Sequence, residues 1–349
     1  MNNLYVVESP LQALCALEVS LGKNNEKHFI IAHLPNNTRN QNNQQILKIL
    51  ELRSWNHKII FKSSSSENKI INQILKLKQL SEINKKFANN IDSLYIGEFR
   101  YQFMHMIRSI VDAPKVYLLD DGAATVKIIN DYIKKYEYHP DIDLLLPNSF
   151  IERNIFKILY AKYFNIEVLE KKLKVITAFA KADSEFGIEE LKFHNLKSVY
   201  NVQKFIDNET VYFYGSKYSE AGIISLDYEL EFLSLIKNYY DSKDMNIFYF
   251  SHRDESEEKL NILTNELNFT VKKSDDIAEL YLLNSSVLPK EVAGAYTSTL
   301  NNIKSLFSVI NVTSFKLHEN KINSEFIESV DNVYQYYSDE GINIISFDK

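Results

Sequence analysis

Short, continuously apolar segments alternate with longer helical patterns along most of this chain. Leu4–Val7 and Val116–Leu119 are apolar throughout, and amphipathic patterns over 11–21 and 124–136 follow them. Strands that are apolar on both faces and alternate with helices are typical of βαβ units and a parallel sheet. The alternation therefore predicts an α/β fold built on parallel sheets.

The alternation occurs twice. It runs through the first half of the chain, gives way to a mixed, charged stretch over 182–208, and resumes at Val211–Tyr214. A chain of 349 residues favours two domains of about 100–200 residues each. We predict two Rossmann-like domains that face a central cleft, an N-terminal one over 1–195 and a C-terminal one over 196–349. A further helix is predicted over 150–164.

Glycine is scarce in this chain, with 8 in 349 residues against about 7% in typical proteins. No two glycines have the G-x-G spacing of a dinucleotide-binding fingerprint, and no G-x-x-x-x-G-K-[ST] phosphate loop is present. A bound phosphate must therefore be held in another way, such as by a helix N-terminus together with hydroxyl and basic side chains.

The charge balance and the single cysteine exclude several classes of protein. A net charge of −6 argues against a general nucleic-acid binder, which needs a basic surface. Cys15 alone cannot form an internal disulfide or a zinc site built on several thiolates. No run of about 18 apolar residues is present, and Met1–Val7 lacks the basic region of a secretory signal. We therefore expect a cytoplasmic protein.

Polar residues cluster directly after the predicted strands of both halves. In open α/β sheets, ligands bind beyond the carboxyl ends of the strands. The clusters are Glu8, Ser9 and Gln12; Asp120 and Asp121; Gly215, Ser216 and Glu220; His252 and Arg253; and Thr297, Ser298 and Thr299. We expect them to converge on one cleft of an enzyme.

Two of these clusters carry groups for acid–base and phosphate chemistry. Asp120 and Asp121 can act as a general base or bind a sugar hydroxyl, with helix capping and a magnesium site as the alternatives. His252 can donate a proton to a leaving phosphate, and Arg253 can neutralise its charge.

The hydroxyl cluster Thr297, Ser298 and Thr299 stands between a predicted strand and a predicted helix. Its hydroxyls can cap the helix, and the first backbone N–H groups of that helix attract anions. Together with His252 and Arg253 it would make a phosphate site that needs no glycine-rich loop.

The order of these motifs resembles that of bacterial sialyltransferases. The resemblance is closest to the lipooligosaccharide sialyltransferases of glycosyltransferase family 52, with the bacterial polysialyltransferases as near relatives. It is carried by Glu8-Ser-Pro-Leu-Gln12, Asp120-Asp121-Gly122, Gly215-Ser216, His252, Ser298-Thr299 and the closing segment Gly341-Ile-Asn-Ile-Ile-Ser-Phe-Asp348. It covers nearly the full length of the chain.

The resemblance implies a GT-B fold and a metal-independent, inverting transfer of sialic acid from CMP-sialic acid. The C-terminal domain would bind the nucleotide, and the N-terminal domain would bind the acceptor. The expected acceptor is a terminal sugar, galactose by preference, of a bacterial surface glycan such as lipooligosaccharide or a capsule. No cofactor beyond the donor substrate is implied.

The resemblance also assigns roles to residues. Asp120 or Asp121 would be the base for the acceptor hydroxyl. The donor nucleotide would be bound by Gly215, Ser216, His252, Arg253, Thr297, Ser298 and Thr299. Glu279 lies 27 residues after His252 (279 − 252 = 27), where related enzymes place a carboxylate for the ribose.

This chain departs from the family pattern at three motifs. The usual His-Pro pair is His252-Arg253, and the usual double serine is Ser298-Thr299. Tyr218 occupies the place of the acidic residue expected after Gly215-Ser216, and Glu220 lies two positions further on.

These departures leave alternatives open. The base can be Asp120, Asp121 or Glu220. The donor can carry another nonulosonic acid, and the product can be a polymer. Two other functions are a GT-B enzyme that uses a different sugar nucleotide and a non-catalytic glycan-binding protein. A homodimer and a peripheral association with the inner membrane also stay open.

Overall fold

The computed structural model describes residues 1–35, 40–63, 69–141, 153–154, 158, 163–200 and 203–347. The chain forms two compact units, Met1–Leu191 and Lys192–Lys349. The predicted helix over 150–164 and the last residue of the closing motif, Asp348, lie largely or wholly outside the described residues.

The described part of the first unit is built on a parallel sheet with the strand order β3-β2-β1-β4-β5-β6-β7. Every neighbouring pair in it is parallel. The strands are β1 (Asn2–Val7), β2 (Lys27–Leu34), β3 (His57–Lys62), β4 (Ser93–Ile96), β5 (Lys115–Leu118), β6 (Leu173–Thr177) and β7 (Ile188–Glu190). Successive strands are added on one side of β1 up to β3 and on the other side from β4 onwards, so the strand order reverses between β1 and β4.

Helices connect these strands. They are α1 (Pro10–Leu21), α2 (Asn40–Glu51), α3 (Lys69–Phe87), α4 (Gln102–Val111), α5 (Ala123–Asp131) and α6 (Ile166–Leu169). α1 begins at Pro10, where the Ser9 side chain accepts a hydrogen bond from the Gln12 backbone N–H and Pro10 fills the first turn.

The two faces of the first sheet bury different side chains because residues alternate along a strand. Leu4, Leu94 and Val116 belong to the apolar core on one face. On the other face Tyr5, Tyr95 and Tyr117 come from adjacent strands, and their ring centroids lie 4.5 and 4.8 Å apart.

The second unit repeats this plan, with the order β10-β9-β8-β11-β12-β13 and parallel neighbours. Its strands are β8 (Phe205–Tyr214), β9 (Asn246–Phe250), β10 (Thr270–Lys272), β11 (Val287–Gly294), β12 (Asn311–Lys316) and β13 (Asn343–Ser346). Its helices are α7 (His194–Val199), α8 (Leu226–Asp241), α9 (Glu257–Asn265), α10 (Ala278–Asn284), α11 (Ser298–Leu306) and α12 (Ile327–Asp339).

Some strand bounds differ from those that the sequence predicts. The sequence predicts a strand over 292–296, whereas β11 starts at Val287 and ends at Gly294. Pro289 and Lys290 interrupt its apolar pattern, and the pairing register shifts between Pro289 and Glu291. The short strand β10 was not predicted, because three residues are too few to show the apolar pattern of a strand.

The second sheet has the strand order 3-2-1-4-5-6 of a Rossmann-like domain, and the first has the same order with β7 added after β6. The predicted α/β class with two such domains is therefore confirmed. In this topology a crevice opens at the carboxyl ends of the strands where the order reverses. That point lies between β1 and β4 in the first unit and between β8 and β11 in the second.

Candidate active site

The reversal point of the first sheet gathers polar side chains from three strand ends. Glu8 and Gln12 follow β1, Glu98 and Arg100 follow β4, and Asp121 follows β5. This is the place where a ligand of a Rossmann-like sheet is expected.

Asp120 is fully buried and its carboxylate is fully engaged. Oδ1 accepts hydrogen bonds from the backbone N–H of Gly122 at 2.9 Å and from the Thr125 hydroxyl at 3.0 Å, and Oδ2 accepts one from the Ala178 N–H at 2.8 Å. Burial raises the pKa of Asp120 to about 6, although these hydrogen bonds oppose the rise. The geometry therefore gives Asp120 the task of tying the end of β5 to the start of α5 and the end of β6.

Asp121 is the accessible member of the pair, with 20% of its side chain exposed. Its Oδ1 accepts a hydrogen bond of 2.8 Å from Gln12 Nε2, and its Oδ2 lies 3.9 Å from Arg100 Nη2, which also donates to Glu98. Burial, reinforced by the negative charge of Glu98, raises the pKa of Asp121 well above its ordinary value. A carboxyl with a raised pKa at a crevice is suited to proton transfer near neutral pH.

Glu98 is held by Arg100 from the same turn. The Arg100 backbone N–H and Nε donate to Oε1 at 2.8 and 3.0 Å, and Nη2 donates to Oε2 at 3.2 Å. Burial acts to raise the pKa of Glu98, but the hydrogen bonds and charge of Arg100 outweigh it and lower the pKa. Sequence reasoning missed both residues, although they come shortly after β4 and the strand-end rule would have found them.

Gly97 makes room for the side chain that orients Asp121. A Cβ atom at this position would lie 2.1 Å from Gln12 Oε1. That oxygen accepts a hydrogen bond of 2.9 Å from the Glu8 N–H. A larger residue here would displace the Gln12 amide from these contacts.

In the second unit, Gly215 and Ser216 follow β8, and Thr297 follows β11. The Thr297 hydroxyl accepts a hydrogen bond of 3.4 Å from the Thr299 N–H and caps α11. Ser298 and Thr299 form the first turn of this helix, whose backbone N–H groups and dipole favour an anion. The structure places these predicted phosphate ligands at the reversal point of the second sheet.

His252 lies in the loop after β9, and its protonation follows from its contacts. The Asp254 N–H donates to Nδ1 at 3.1 Å, so the neutral ring carries its proton on Nε2. Burial, together with the charge of Arg253, lowers the pKa of His252 to about 4. At neutral pH His252 is therefore an uncharged Nε2–H donor, and the exposed Arg253 supplies positive charge beside it.

A buried lysine lies beneath this loop. Lys259 has no exposed surface, and its Nζ contacts Glu229 at 2.7 Å, Glu255 at 2.9 Å and Glu220 at 3.1 Å. It also donates to the carbonyl oxygen of Ser216 at 3.1 Å. Sequence reasoning missed this network, because a lysine at helical spacing from a glutamate usually predicts an exposed pair.

Glu220 belongs to this network. Oε1 accepts a hydrogen bond of 2.8 Å from the Ser256 N–H, and Oε2 accepts one from Lys259. Burial acts to raise its pKa, but these hydrogen bonds and the lysine charge outweigh it and lower the pKa. Both oxygens are thus used in holding the loops together.

A chain of contacts connects the Gly215 and His252 motifs. A Cβ atom at Gly215 would lie 2.2 Å from the Tyr249 hydroxyl oxygen. That hydroxyl donates to Glu255 Oε1 at 2.5 Å, and Glu255 Oε2 accepts the His252 backbone N–H. Gly215 thus allows the contact that fixes the His252 loop.

Glu279 is buried in the first turn of α10, with 5% of its surface exposed. Its Oε1 accepts a hydrogen bond of 2.7 Å from Asn302 Nδ2. The sequence alone predicts a solvated glutamate on a helix, and that expectation is wrong. The contact ties Glu279 to α11, the helix that carries Ser298 and Thr299.

The described residues contain neither a cluster of metal-ligating side chains nor a membrane-spanning helix. Over that part of the chain, no group of three or more His, Cys, Asp or Glu side chains is arranged to hold a metal ion. Among the described helices, none combines the length and the apolar character that crossing a membrane requires.

A family model described as alpha-2,8-polysialyltransferase (POLYST) matches residues 3–316. The chain belongs to this family. As a member of the polysialyltransferase family it is a glycosyltransferase-type enzyme, and the match supports a sialyl or glycosyl transfer. The narrower resemblance to the lipooligosaccharide sialyltransferases of family 52 is not confirmed. No curated protein sequence matches the chain significantly.

Solved structures resemble this polysialyltransferase-family chain in fold. A putative UDP-N-acetylglucosamine 2-epimerase from Listeria monocytogenes has a TM-score of 0.52 and 9% identity, covering 97% of this chain and 86% of that chain. The UDP-GlcNAc 2-epimerase from Neisseria meningitidis bound to UDP-GlcNAc has a TM-score of 0.50 and 11% identity, covering 99% of this chain and 95% of that chain. At such identity the likeness concerns the fold alone, and the predicted GT-B fold of two Rossmann-like domains is confirmed.

Proposed function

We propose that this protein transfers sialic acid from CMP-sialic acid to a sugar hydroxyl of a bacterial surface glycan, with inversion and without a metal ion. The observation that carries the chemistry is the state of Asp121, an accessible carboxyl with a raised pKa at the reversal point of its sheet. Membership of the polysialyltransferase family supports the sialyl group as the one transferred.

The proposed base is Asp121 and not Asp120 or Glu220. The oxygens of the latter two are committed to hydrogen bonds that hold loops and strands in place. The side chains of Asp121 and Glu220 are both 20% exposed, but the pKa of Asp121 is raised whereas that of Glu220 is lowered. Asp121 is also oriented by Gln12. In the reaction its carboxylate takes the proton of the acceptor hydroxyl while that oxygen bonds to the anomeric carbon of the donor.

The proposed phosphate site is in the second unit. As the bond between the anomeric carbon and the phosphate oxygen breaks, the electron pair stays on the phosphate and CMP leaves. The His252 Nε2–H donates to that phosphate, and Arg253 and the first turn of α11 offset its charge. Glu279 is proposed to bind the ribose, a role that its buried, oriented carboxylate supports.

The test is CMP release from CMP-sialic acid with galactose-terminated and sialic acid-terminated acceptors, with and without EDTA. We expect turnover that survives EDTA. Asp121→Asn should lower the rate about 10²–10⁴-fold, as expected for a general base, and leave the CMP dissociation constant nearly unchanged. His252→Ala should lower the rate and also weaken CMP binding.

Matched variants and other nucleotides complete the test. Glu220→Gln and Asp120→Asn are the matched variants. Each replaces an alternative candidate base by an amide of nearly the same shape. Loss of turnover in Glu220→Gln with a normal rate in Asp121→Asn would move the base to the second unit. A thermal shift with UDP and none with CMP would indicate another sugar nucleotide. Absence of CMP release with every acceptor would favour a glycan-binding protein.

A further inference from the structure

Glu98 lies against the proposed base and is itself firmly held. Only 14% of its side chain is exposed, and Arg100 donates to both of its carboxylate oxygens. A paired arginine keeps a carboxylate ionised and fixes its direction. Neither the family match nor the sequence motifs assign a role to this pair.

Arg100 places the carboxyl groups of Glu98 and Asp121 near each other: its Nη2 lies 3.2 Å from Glu98 Oε2 and 3.9 Å from Asp121 Oδ2. Because Arg100 donates to both oxygens of Glu98 and stabilises its charge, a proton taken up by the two groups resides mainly on Asp121. When that proton leaves, Asp121 becomes a carboxylate beside a second negative charge, which increases its basicity.

The other charged or polar groups around Asp121 do not cancel this effect. Arg100 Nη2 lies 3.9 Å from Asp121 Oδ2, further than from Glu98, and its side chain is 62% exposed to screening solvent. Glu8 after β1 adds negative charge, and Asp120 is buried beside it. Gln12 contributes one neutral hydrogen bond.

We propose that Glu98 is a positioning residue: clamped by Arg100, it holds a negative charge beside Asp121, the base of the proposed reaction. This proposal rests on the proposed function only in taking Asp121 as the general base. The pairing of the two carboxyl groups is a property of the protein without substrate. Gly97 contributes to this arrangement, because it leaves room for the Gln12 amide that donates to Asp121.

Two substitutions should shift the acidic limb of the pH–rate profile in opposite directions. Glu98→Gln removes the neighbouring negative charge, so the limb should move to lower pH by about one unit, with a lower plateau rate because the base is weaker. Arg100→Gln removes a positive charge, so the limb should move to higher pH by a smaller amount. Glu98→Asp should restore part of the normal profile.

A second measurement does not depend on activity. The titration of Asp121 is followed by ¹³C NMR of aspartate carboxyl groups, with its signal identified by its loss in Asp121→Asn. Glu98→Gln should lower the pH at which this signal titrates. Glu82→Gln is the control, because Glu82 is an exposed helix residue of the same unit, paired with Lys86 at 3.9 Å, and it should move neither readout.

The outcomes separate the two proposals. An unchanged or raised Asp121 titration in Glu98→Gln would overturn the role of Glu98. A lowered titration with matching movement of the rate profile would support it. A lowered titration in a protein whose Asp121→Asn variant transfers at the normal rate would uphold the coupling of the two carboxyl groups and show that the base of the reaction is another group.

Discussion

Replacing Gly97 by alanine tests how closely the first unit is packed at its reversal point. The added Cβ would lie 2.1 Å from Gln12 Oε1 and 2.5 Å from Gln12 Cδ. Contacts this short are not tolerated, so the amide must move. Gln12 is 1% exposed, and on moving it loses its hydrogen bonds with the Glu8 N–H and with Asp121.

The expected cost follows from these two hydrogen bonds. A neutral hydrogen bond contributes about 0.5–1.5 kcal/mol and one to a charged group about 1.5–3 kcal/mol. Gly97→Ala should therefore lower the free energy of unfolding of the first unit by about 2–4.5 kcal/mol. Gly97 has an ordinary backbone conformation, so no backbone strain is added.

Urea unfolding followed by tryptophan fluorescence measures this cost. Trp55 is the one tryptophan of the chain and lies in the first unit, so its signal reports on that unit. The control is a double-mutant cycle with Gln12→Ala, which removes the same hydrogen bonds without a clash. Gly97→Ala should cost little in the Gln12→Ala background. An equal cost in both backgrounds would refute the reasoning.

Two further predictions concern buried groups. Gly215→Ala places a Cβ 2.2 Å from the hydroxyl and 2.4 Å from Cζ of the buried Tyr249, so it should destabilise the second unit by about 1–3 kcal/mol and weaken CMP binding. Thermal shift measures the stability and calorimetry measures the CMP affinity. Tyr249→Phe is the control that removes only the hydroxyl, and equal effects of the two variants would contradict a clash. Burial and the charge of Arg108 lower the pKa of His105 to about 3 from 6.5, so the unfolded state binds the proton more readily and stability should fall as the pH drops from 6.5 towards 3, by on the order of 4 kcal/mol. His105→Gln should reduce this dependence in urea titrations at several pH values, and an unchanged slope would contradict it.

The local patterns of the sequence predict most of the fold. Continuous apolar runs predict buried parallel strands, and the hydroxyl cluster at Thr297 predicts a capped helix start that the structure contains. The strand-end rule also places Asp121 and His252 at the carboxyl edges of their sheets. These features are predictable because periodicity and capping depend on residues close together in the chain.

The long-range contacts of the site were not predictable from local pattern. Asp120 and Asp121 are adjacent and chemically identical, yet only tertiary structure buries one against Ala178 and sets the other against Gln12 and Glu98. The burial and the pKa of a side chain depend on which distant elements cover it. The local sequence around that side chain does not specify those elements.

What the sequence by itself determined is the class of fold, the order of its elements and the edges where chemistry can occur. What only the tertiary structure decided is the state of each group at those edges: the neutral His252, the carboxyl pair of Glu98 and Asp121, and the buried Lys259 among glutamates. The physical reason is that charge and hydrogen bonding act through space, between residues that the chain brings together only when it folds.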